Sequence, residues 1–266
     1  MTLAEQMMFS TMKIEVQKQN PNGSMSNETA TGFLFMFHQQ TDECIRVLVT
    51  NRHVLEHCKN VKIAFTQKDE SGMPCWKQRE YMTFSASDIT FHPDPKIDLA
   101  VISIGTSLKI SENQGKSLMY TFLNSSIIPD KTEWDSLNVI EDVIMIGYPF
   151  GVYDNVKNLP LFRRGITGTH PSYDYQGQPQ FLVDMACYSG SSGSPVFLYD
   201  ETIWKSKEYP NPKKTRFFLL GIQARTFNGV SENTEINLHI GKIIKSTQLL
   251  DFIPILRNSC CGNLNH

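Results

Sequence analysis

The amino-acid sequence predicts an all-β fold, a barrel or a sandwich, and two observations lead to this prediction. Short apolar runs bounded by turn residues recur along the chain, for example at residues 12–16, 30–37 and 45–50. Stretches with the 3.6-residue periodicity of an amphipathic helix are scarce. The chain has 266 residues, which is long enough to bury a substantial core in one large domain or two small ones.

Composition and charge exclude several classes of partner. Hydrophobic residues make up 40% of the chain and charged residues 20%, as in ordinary globular proteins. The formal net charge of −2 gives no electrostatic basis for binding nucleic acid, and the one lysine pair is Lys213-Lys214. No apolar run approaches the roughly 18–20 residues that span a bilayer, and residues 1–9 do not resemble a secretory signal. We therefore expect neither nucleic acid nor a membrane as a partner.

The six cysteines do not form a metal-binding pattern. Neither a CxxC pair nor a Cys/His spacing typical of zinc sites is present, so no metal and no cofactor is expected. We interpret the cysteines as free thiols in a reducing compartment, which predicts a cytoplasmic protein. They are Cys44, Cys58, Cys75, Cys187, Cys260 and Cys261.

The predicted elements follow in chain order. Residues 20–23, Asn-Pro-Asn-Gly, form a turn by composition, and residues 38–43 form a polar turn. Residues 106–139 are polar and mixed, and we expect a connector with a short helix around residues 116–123. Apolar residues in 242–256 predict an amphipathic C-terminal helix. Predicted strands cover residues 12–16, 30–37, 45–50, 61–65, 99–104, 142–151, 159–168, 181–187, 195–199, 217–224 and 236–241, with a polar loop at 225–235.

The segment Tyr-Ser-Gly-Ser-Ser-Gly-Ser-Pro-Val, residues 188–196, lies between two apolar runs. It could be a flexible linker or a hairpin turn. It could also be a nucleophile loop, in which Ser192 attacks and the N–H groups of Gly190 and Ser192 bind an oxyanion. The second interpretation requires a general base and an acid elsewhere in the chain.

Candidates for both occur upstream. His53 ends a strand-like run, and Asp98 opens an apolar strand, where burial would let its carboxylate hold an imidazole in one tautomer. His57 lies four residues after His53, and on a helical turn the two could form a metal-binding pair. Val54 stands where the HExxH metal motif needs glutamate, so we interpret His57 as a surface histidine. The rival acids, Asp88 and Asp94, are not followed directly by an apolar run.

These three segments, in the order His, Asp, Ser, resemble the chymotrypsin-like (trypsin-fold) serine peptidases, and most of all their bacterial, disulfide-free branch. The resemblance implies two six-stranded antiparallel Greek-key barrels packed together, with a C-terminal helix. It implies a catalytic triad of His53, Asp98 and Ser192 in a serine endopeptidase whose substrate is a protein or peptide. We expect one domain over residues 1–256, with lobes at about 10–105 and 141–245, a connector at 106–140, a helix at 242–256 and a tail at 257–266.

The resemblance also suggests a substrate pocket. Ala186, six residues before the nucleophile, would lie at its base and Cys187 beside it, with Gln223 and Ala224 on the strand that walls the cleft. His239 would lie on the opposite wall. Since none of these residues is acidic, a preference for lysine or arginine is not expected, and a small or medium apolar side chain is.

Regulation should differ from that of the secreted relatives. Those enzymes use an aspartate directly before the nucleophile to pair with a newly cut N-terminus, and this chain has Ser191 there. Activation, if the enzyme needs it, is expected through a protein partner, an effector or loop ordering, as in effectors of bacterial conflict and stress systems.

Three rival functions were weighed. One is a catalytically latent trypsin-fold module for protein binding, and another is a structural β-domain with accidental motifs. The third is an α/β-hydrolase esterase, which would need a G-x-S-x-G motif that this chain does not have at Ser192.

Overall fold

The computed structural model of the chain describes residues 1–20, 22–38, 44–200, 216–231 and 234–262. The predicted polar turn at residues 38–43, the Lys213-Lys214 pair and the last four residues of the predicted tail lie wholly or partly outside these ranges. Within them, the all-β prediction is confirmed: two sheets dominate, and helices are short.

The first lobe is a nine-stranded sheet. Along the main path its strands lie in the order β5-β4-β1-β2-β3-β7-β6, while β8 pairs with β4 and β9 with β2. We predicted a six-stranded barrel here, and the structure shows an open path, since β5 and β6 are not paired in the part of the chain that is described. The strands are β1 Thr11–Gln19, β2 Met25–His38, β3 Cys44–Thr50, β4 Cys58–Lys68, β5 Pro74–Ser85, β6 Ile89–Phe91, β7 Ala100–Ser103, β8 Leu118–Met119 and β9 Leu123–Asn124.

The second lobe is a closed six-stranded barrel, as the resemblance implied. Its strands follow the order β10-β11-β12-β15-β14-β13, and every neighbouring pair is antiparallel. Closure leaves the barrel without free sheet edges. The strands are β10 Asp142–Gly147, β11 Leu161–Thr167, β12 Gln180–Asp184, β13 Pro195–Asp200, β14 Arg216–Ser231 and β15 Thr234–Lys245.

One apolar core joins the two lobes. Phe33 and Val47 of the first sheet pack in the same cluster as Phe197 and Leu219 of the barrel, and all four are fully buried. The C-terminal segment packs on this shared core through Phe252 and other side chains. Burial of this apolar surface is the main force that holds the lobes together, and it fixes the cleft between them. The assignment of residues 1–256 to a single domain stays a prediction.

The connector differs from the prediction. The helix expected around residues 116–123 is absent; there, β8 and β9 add short strands to the first sheet, because Leu118 and Leu123 are buried against it. The connector's helices are α3 Gly105–Asn113 and α4 Lys131–Asp135. The earlier helices, in chain order, are α1 Leu3–Ser10 and α2 Arg52–Leu55. The sequence does carry a signal for α1, since Thr2 and Glu5 form a capping box.

The polar loop predicted at residues 225–235 is wrong over most of its length. Strands β14 and β15 continue through it as a hairpin, paired from Arg225–Lys242 out to Ser231–Thr234. Backbone pairing satisfies the peptide groups of this hairpin whatever the polarity of its side chains, so hydrophobic alternation did not reveal it.

The C-terminal helix is confirmed, but its predicted start at residue 242 is wrong. Residues up to Lys245 belong to β15, a 3-10 helix covers Ser246–Phe252, and α5 covers Ile253–Gly262. The predicted tail therefore begins inside a helix. No helix in the described ranges is long and apolar enough to cross a membrane.

Candidate active site

His53 is held by backbone geometry and by an aspartate. Strand β3 ends at Thr50, Asn51 precedes α2, and His53 is the second residue of that helix. The Asn51 side-chain amide donates to the Asp98 carbonyl oxygen at 2.8 Å, and the His53 N–H donates to Asp98 Oδ1 at 2.9 Å. These two hydrogen bonds tie the first turn of α2 to the loop that carries Asp98.

The three predicted catalytic side chains form one continuous hydrogen-bonded chain. His53 Nδ1 lies 2.7 Å from Asp98 Oδ2, and His53 Nε2 lies 3.1 Å from Ser192 Oγ. If Nδ1–H donates to the carboxylate, Nε2 is free to accept the proton of the serine hydroxyl. The rival His57 lies beyond the end of α2, exposed and in the left-handed conformation (φ 58°). Among the described residues no cluster of His, Cys, Asp and Glu could hold a metal ion.

Ser192, the predicted nucleophile, lies after a tight turn. The Ser191 N–H donates to the Tyr188 carbonyl oxygen at 3.0 Å, and Gly190 has φ 86°. This matches a type II turn, whose third residue needs a positive φ. Glycine is required for a second reason, because a Cβ at Gly190 would lie 2.6 Å from the Tyr148 carbonyl oxygen.

The orientation of the Gly190 N–H follows from its neighbour's carbonyl. The Ser189 carbonyl oxygen accepts a hydrogen bond from the Phe150 N–H at 2.6 Å. In a trans peptide the C=O and the following N–H point in opposite directions, so the Gly190 N–H points away from Phe150. Neither this N–H nor that of Ser192 meets an acceptor in the described part of the chain. Both predicted oxyanion donors are therefore free.

Thr31, in the first lobe, holds residues 190–192 of the second lobe by two hydrogen bonds, which we call the Thr31 clamp. Its N–H donates to the Ser192 carbonyl oxygen at 3.0 Å, and its hydroxyl donates to the Gly190 carbonyl oxygen at 2.8 Å. Its own carbonyl oxygen accepts the Thr50 hydroxyl at 2.8 Å, and Thr31 is fully buried. Sequence reasoning missed this residue, because a threonine at the start of an apolar strand carries no local signal for such a role.

The predicted substrate-binding residues surround the nucleophile segment. Gln223 is buried and exchanges backbone hydrogen bonds of 2.9 Å with Gly193 and Ser194, directly after Ser192. Ala224 lines the same small recess as Asp98. The exposed His239 ring meets Tyr188 edge-on at 5.6 Å between ring centroids.

Gly241 brings two more of these side chains together. A Cβ at Gly241 would lie 2.6 Å from both Cys187 Sγ and Gln223 Oε1, so both atoms pack against this glycine. The Gln223 oxygen is buried and has no hydrogen-bond partner among the described residues. The wall beside Ser192 is therefore small and partly polar, and Ala186 is half-buried next to it.

Lys242, which was not among the predicted site residues, lies near Asp98, and Arg225 lies beside Lys242. Arg225 and Lys242 are paired across β14 and β15, and Lys242 lines the recess that holds Asp98. Burial lowers the pKa of Lys242, the charge of Arg225 lowers it further, and Asp98 opposes both effects. The predicted C-terminal helix included Lys242, whereas the structure places this residue in β15, paired with β14.

The cysteine side chains that the structure describes are unpaired: Cys44, Cys58, Cys75 and Cys187 are free thiols. Burial raises the pKa of Cys187 to about 12, against a smaller opposing effect of Arg163. Since the thiolate is the reactive form, Cys187 should be inert in the folded protein.

We expect iodoacetamide at pH 7.5 to modify the exposed Cys44 and to reach Cys187 only after unfolding, as measured by peptide mass spectrometry. Rapid alkylation of Cys187 in the folded protein would contradict this packing.

Comparisons with solved structures show the same fold. An HtrA-type protease, AlgW, in a variant with a bound decapeptide superposes with a TM-score of 0.53 at 15% identity, covering 94% of this chain and 64% of that chain. AlgW with a tripeptide gives 0.50 at 16% identity, covering 92% and 59%. Deg5 gives 0.50 at 15% identity, covering 93% and 89%. The chain thus spans less than two thirds of the AlgW chains.

The sequence comparison carries the family assignment. No curated protein sequence matches the chain. A family model, the trypsin-like peptidase domain, matches residues 30–203, which include His53, Asp98 and Ser192. This match covers more than half of the chain. The chain therefore belongs to the family of trypsin-like peptidase domains.

Proposed function

We propose that this chain hydrolyses peptide bonds with a triad of Ser192, His53 and Asp98 and an oxyanion hole formed by the N–H groups of Gly190 and Ser192. The observation that carries the proposal is the unbroken path of hydrogen bonds from Ser192 Oγ through His53 to Asp98, next to two unengaged N–H groups.

The proposed mechanism has two half-reactions. Ser192 Oγ attacks the peptide carbonyl carbon while His53 Nε2 accepts the hydroxyl proton, and Asp98 stabilises the imidazolium. The tetrahedral oxyanion accepts hydrogen bonds from Gly190 and Ser192, each donor contributing about 2.7–4 kcal/mol to lowering the barrier. His53 then protonates the leaving amine, and water hydrolyses the acyl-enzyme by the same route in reverse.

The proposed substrate is a protein or peptide. The tripeptide and decapeptide bound to AlgW support a peptide ligand on this fold. Ala186, Cys187 and Gln223 are themselves uncharged, which supports a small or medium uncharged side chain before the scissile bond. Gln223 would give this pocket a polar feature.

We also propose an intracellular, regulated enzyme in the bacterial cytoplasm. The unpaired thiols of the four cysteines whose side chains the structure describes support a reducing compartment. Regulation would act on the turn at residues 188–191, since Ser191 cannot form the ion pair that an aspartate would make there. An activating protein partner would bind near that turn, and the proposal includes neither nucleic acid nor a membrane as a partner.

Covalent labelling with a fluorophosphonate probe tests the proposed function. The purified chain should react stoichiometrically, and Ser192→Ala should not react. Mass spectrometry should place the adduct on Ser192. If the wild-type chain fails to react, alone and in cell lysate, the catalytic proposal fails, and a latent binding module becomes the better reading of the fold.

A further inference from the structure

The segment before the nucleophile has little regular structure of its own. Residues 186–188 belong to no strand or helix. The Tyr188 carbonyl oxygen is bonded within the turn, whereas those of Ala186 and Cys187 take their hydrogen bonds from side chains outside the segment. The Cys187 carbonyl oxygen accepts from the Asn237 side chain at 2.8 Å. The Ala186 carbonyl oxygen accepts from Arg163 Nη1 at 2.5 Å. A single side chain on β11 therefore anchors the start of the segment that ends at Ser192.

Arg163 makes a second contact with the same segment. Its guanidinium carbon lies 4.8 Å from the centre of the Tyr188 ring, a cation–π arrangement. Tyr188 in turn packs on Phe150, with ring centroids 5.3 Å apart, and the Phe150 N–H holds the Ser189 carbonyl oxygen. The contacts form one path from Arg163 through two aromatic rings to the peptide that presents the Gly190 N–H.

The electrostatic setting of Arg163 differs from that of the next residue along β11. Its neighbour Arg164 is exposed and pairs with Asp142 at 3.0 Å. Arg163 is half-buried, and within the described ranges no carboxylate lies within 4.0 Å of it. A half-buried cation without a counter-ion carries a desolvation cost, which a carbonyl dipole and an aromatic face offset here. Both of those partners lie in the nucleophile segment.

We propose that Arg163 is a positioning residue for the proposed peptidase reaction: it holds residues 186–188 in place, so that Tyr188 and Phe150 keep the Gly190 N–H aimed at the oxyanion. Arg163 itself touches neither substrate nor nucleophile in this role. Its planar guanidinium can donate to the carbonyl and stack on the ring at once, which a lysine ammonium cannot do equally well. The inference rests on the proposed function of Ser192 and the oxyanion hole.

The test compares Arg163→Met and Arg163→Lys with a matched control, Arg164→Met, in the full chain. A small fluorophosphonate without a peptide side chain reports on Ser192 and the oxyanion hole and is insensitive to the substrate pocket. We expect Arg163→Met to slow labelling by about 10–100-fold, since small displacements of catalytic groups cost about that much. Arg163→Lys should recover part of the rate, and Arg164→Met should stay within about twofold of the wild type.

Kinetics and folding separate positioning from a purely structural role. With a peptide substrate, Arg163→Met should lower kcat far more than it changes KM, at a temperature where circular dichroism shows every variant folded. A lower melting temperature with an unchanged labelling rate would overturn the proposal. If Arg163→Met does not fold, Tyr188→Leu, which removes the ring between Arg163 and Phe150, should show the same loss of labelling.

Hydrogen exchange tests the role of Arg163 even if the wild type does not react with the probe. A wild type that does not react would count against the proposed peptidase function and not against this role. Peptides covering residues 185–194 should exchange faster in Arg163→Met than in the wild type, with no change in Arg164→Met. Equal exchange in all three proteins would show that Arg163 does not hold this segment.

Discussion

Replacing Ser192 by alanine is expected to lower kcat by about 10⁶-fold, because a triad nucleophile and its base act as one unit. His53→Ala should cost a similar factor, since without Nε2 nothing accepts the hydroxyl proton. The double variant should be scarcely slower than either single variant. Steady-state cleavage of an unstructured protein or a peptide library by the three variants and the wild type measures this.

The fold should survive these changes. Ser192 Oγ bonds only to His53 in the described part of the chain, so its removal should change the free energy of unfolding by about 1 kcal/mol or less. Circular dichroism and thermal unfolding serve as the control. Turnover by Ser192→Ala at more than a few per cent of the wild-type rate would rule out Ser192 as the nucleophile. Rate losses that multiply in the double variant would rule out a coupled pair.

Gly193→Ala should have the largest effect on stability. Gly193 has φ 85°, and a Cβ there would overlap the Thr31 carbonyl oxygen and the Thr50 hydroxyl, both in the buried clamp between the lobes. Left-handed strain costs about 1–2 kcal/mol and overpacking about 1–3 kcal/mol, so we expect a loss of about 2–5 kcal/mol. For a chain of this size that lowers the melting temperature by about 4–20 °C. Calorimetry measures the shift.

Gly177→Ala is the matched control for that change. Gly177 also has a positive φ, 69°, but a Cβ there would meet no atom within 4 Å. Only the left-handed strain applies, about 1–2 kcal/mol. Labelling of Ser192 should be lost in Gly193→Ala, because the turn next to the nucleophile must move, and kept in Gly177→Ala. Equal stability losses in the two variants would contradict the clamp by Thr31.

The catalytic candidates could be found from the sequence because each lies next to a glycine-rich turn or at the end of an apolar run. Ser192 lies between two glycines in a short turn segment, His53 follows a strand-like apolar run, and Asp98 precedes another. Such local patterns report turns and buried strands directly. The order of the three segments then restricted the family. The structure places His53 within hydrogen-bonding distance of both Asp98 and Ser192.

Other elements depended on pairing that local patterns do not record. The hairpin beyond Arg225 is rich in polar side chains, and this polarity led to the prediction of a loop. Its backbone is nevertheless paired as two strands. Lys245 ends a strand because β15 pairs with β12 and β14, although its flanking apolar residues suggested a helix. The open path of the first sheet follows from which strand edges meet, and this is a property of the whole lobe.

The β class, the family and the candidate residues His53, Asp98 and Ser192 could be predicted from the sequence, since strand alternation, glycine turns and residue order are encoded locally. The contacts that hold the site in place depend on tertiary packing. Thr31 and Arg163 lie about 160 and about 30 residues from Ser192 along the chain, and their hydrogen bonds and ring contacts arise when folding brings the two lobes and β11 against the nucleophile turn. A side chain's partner across such a distance is set by packing, and no spacing rule in the sequence records it.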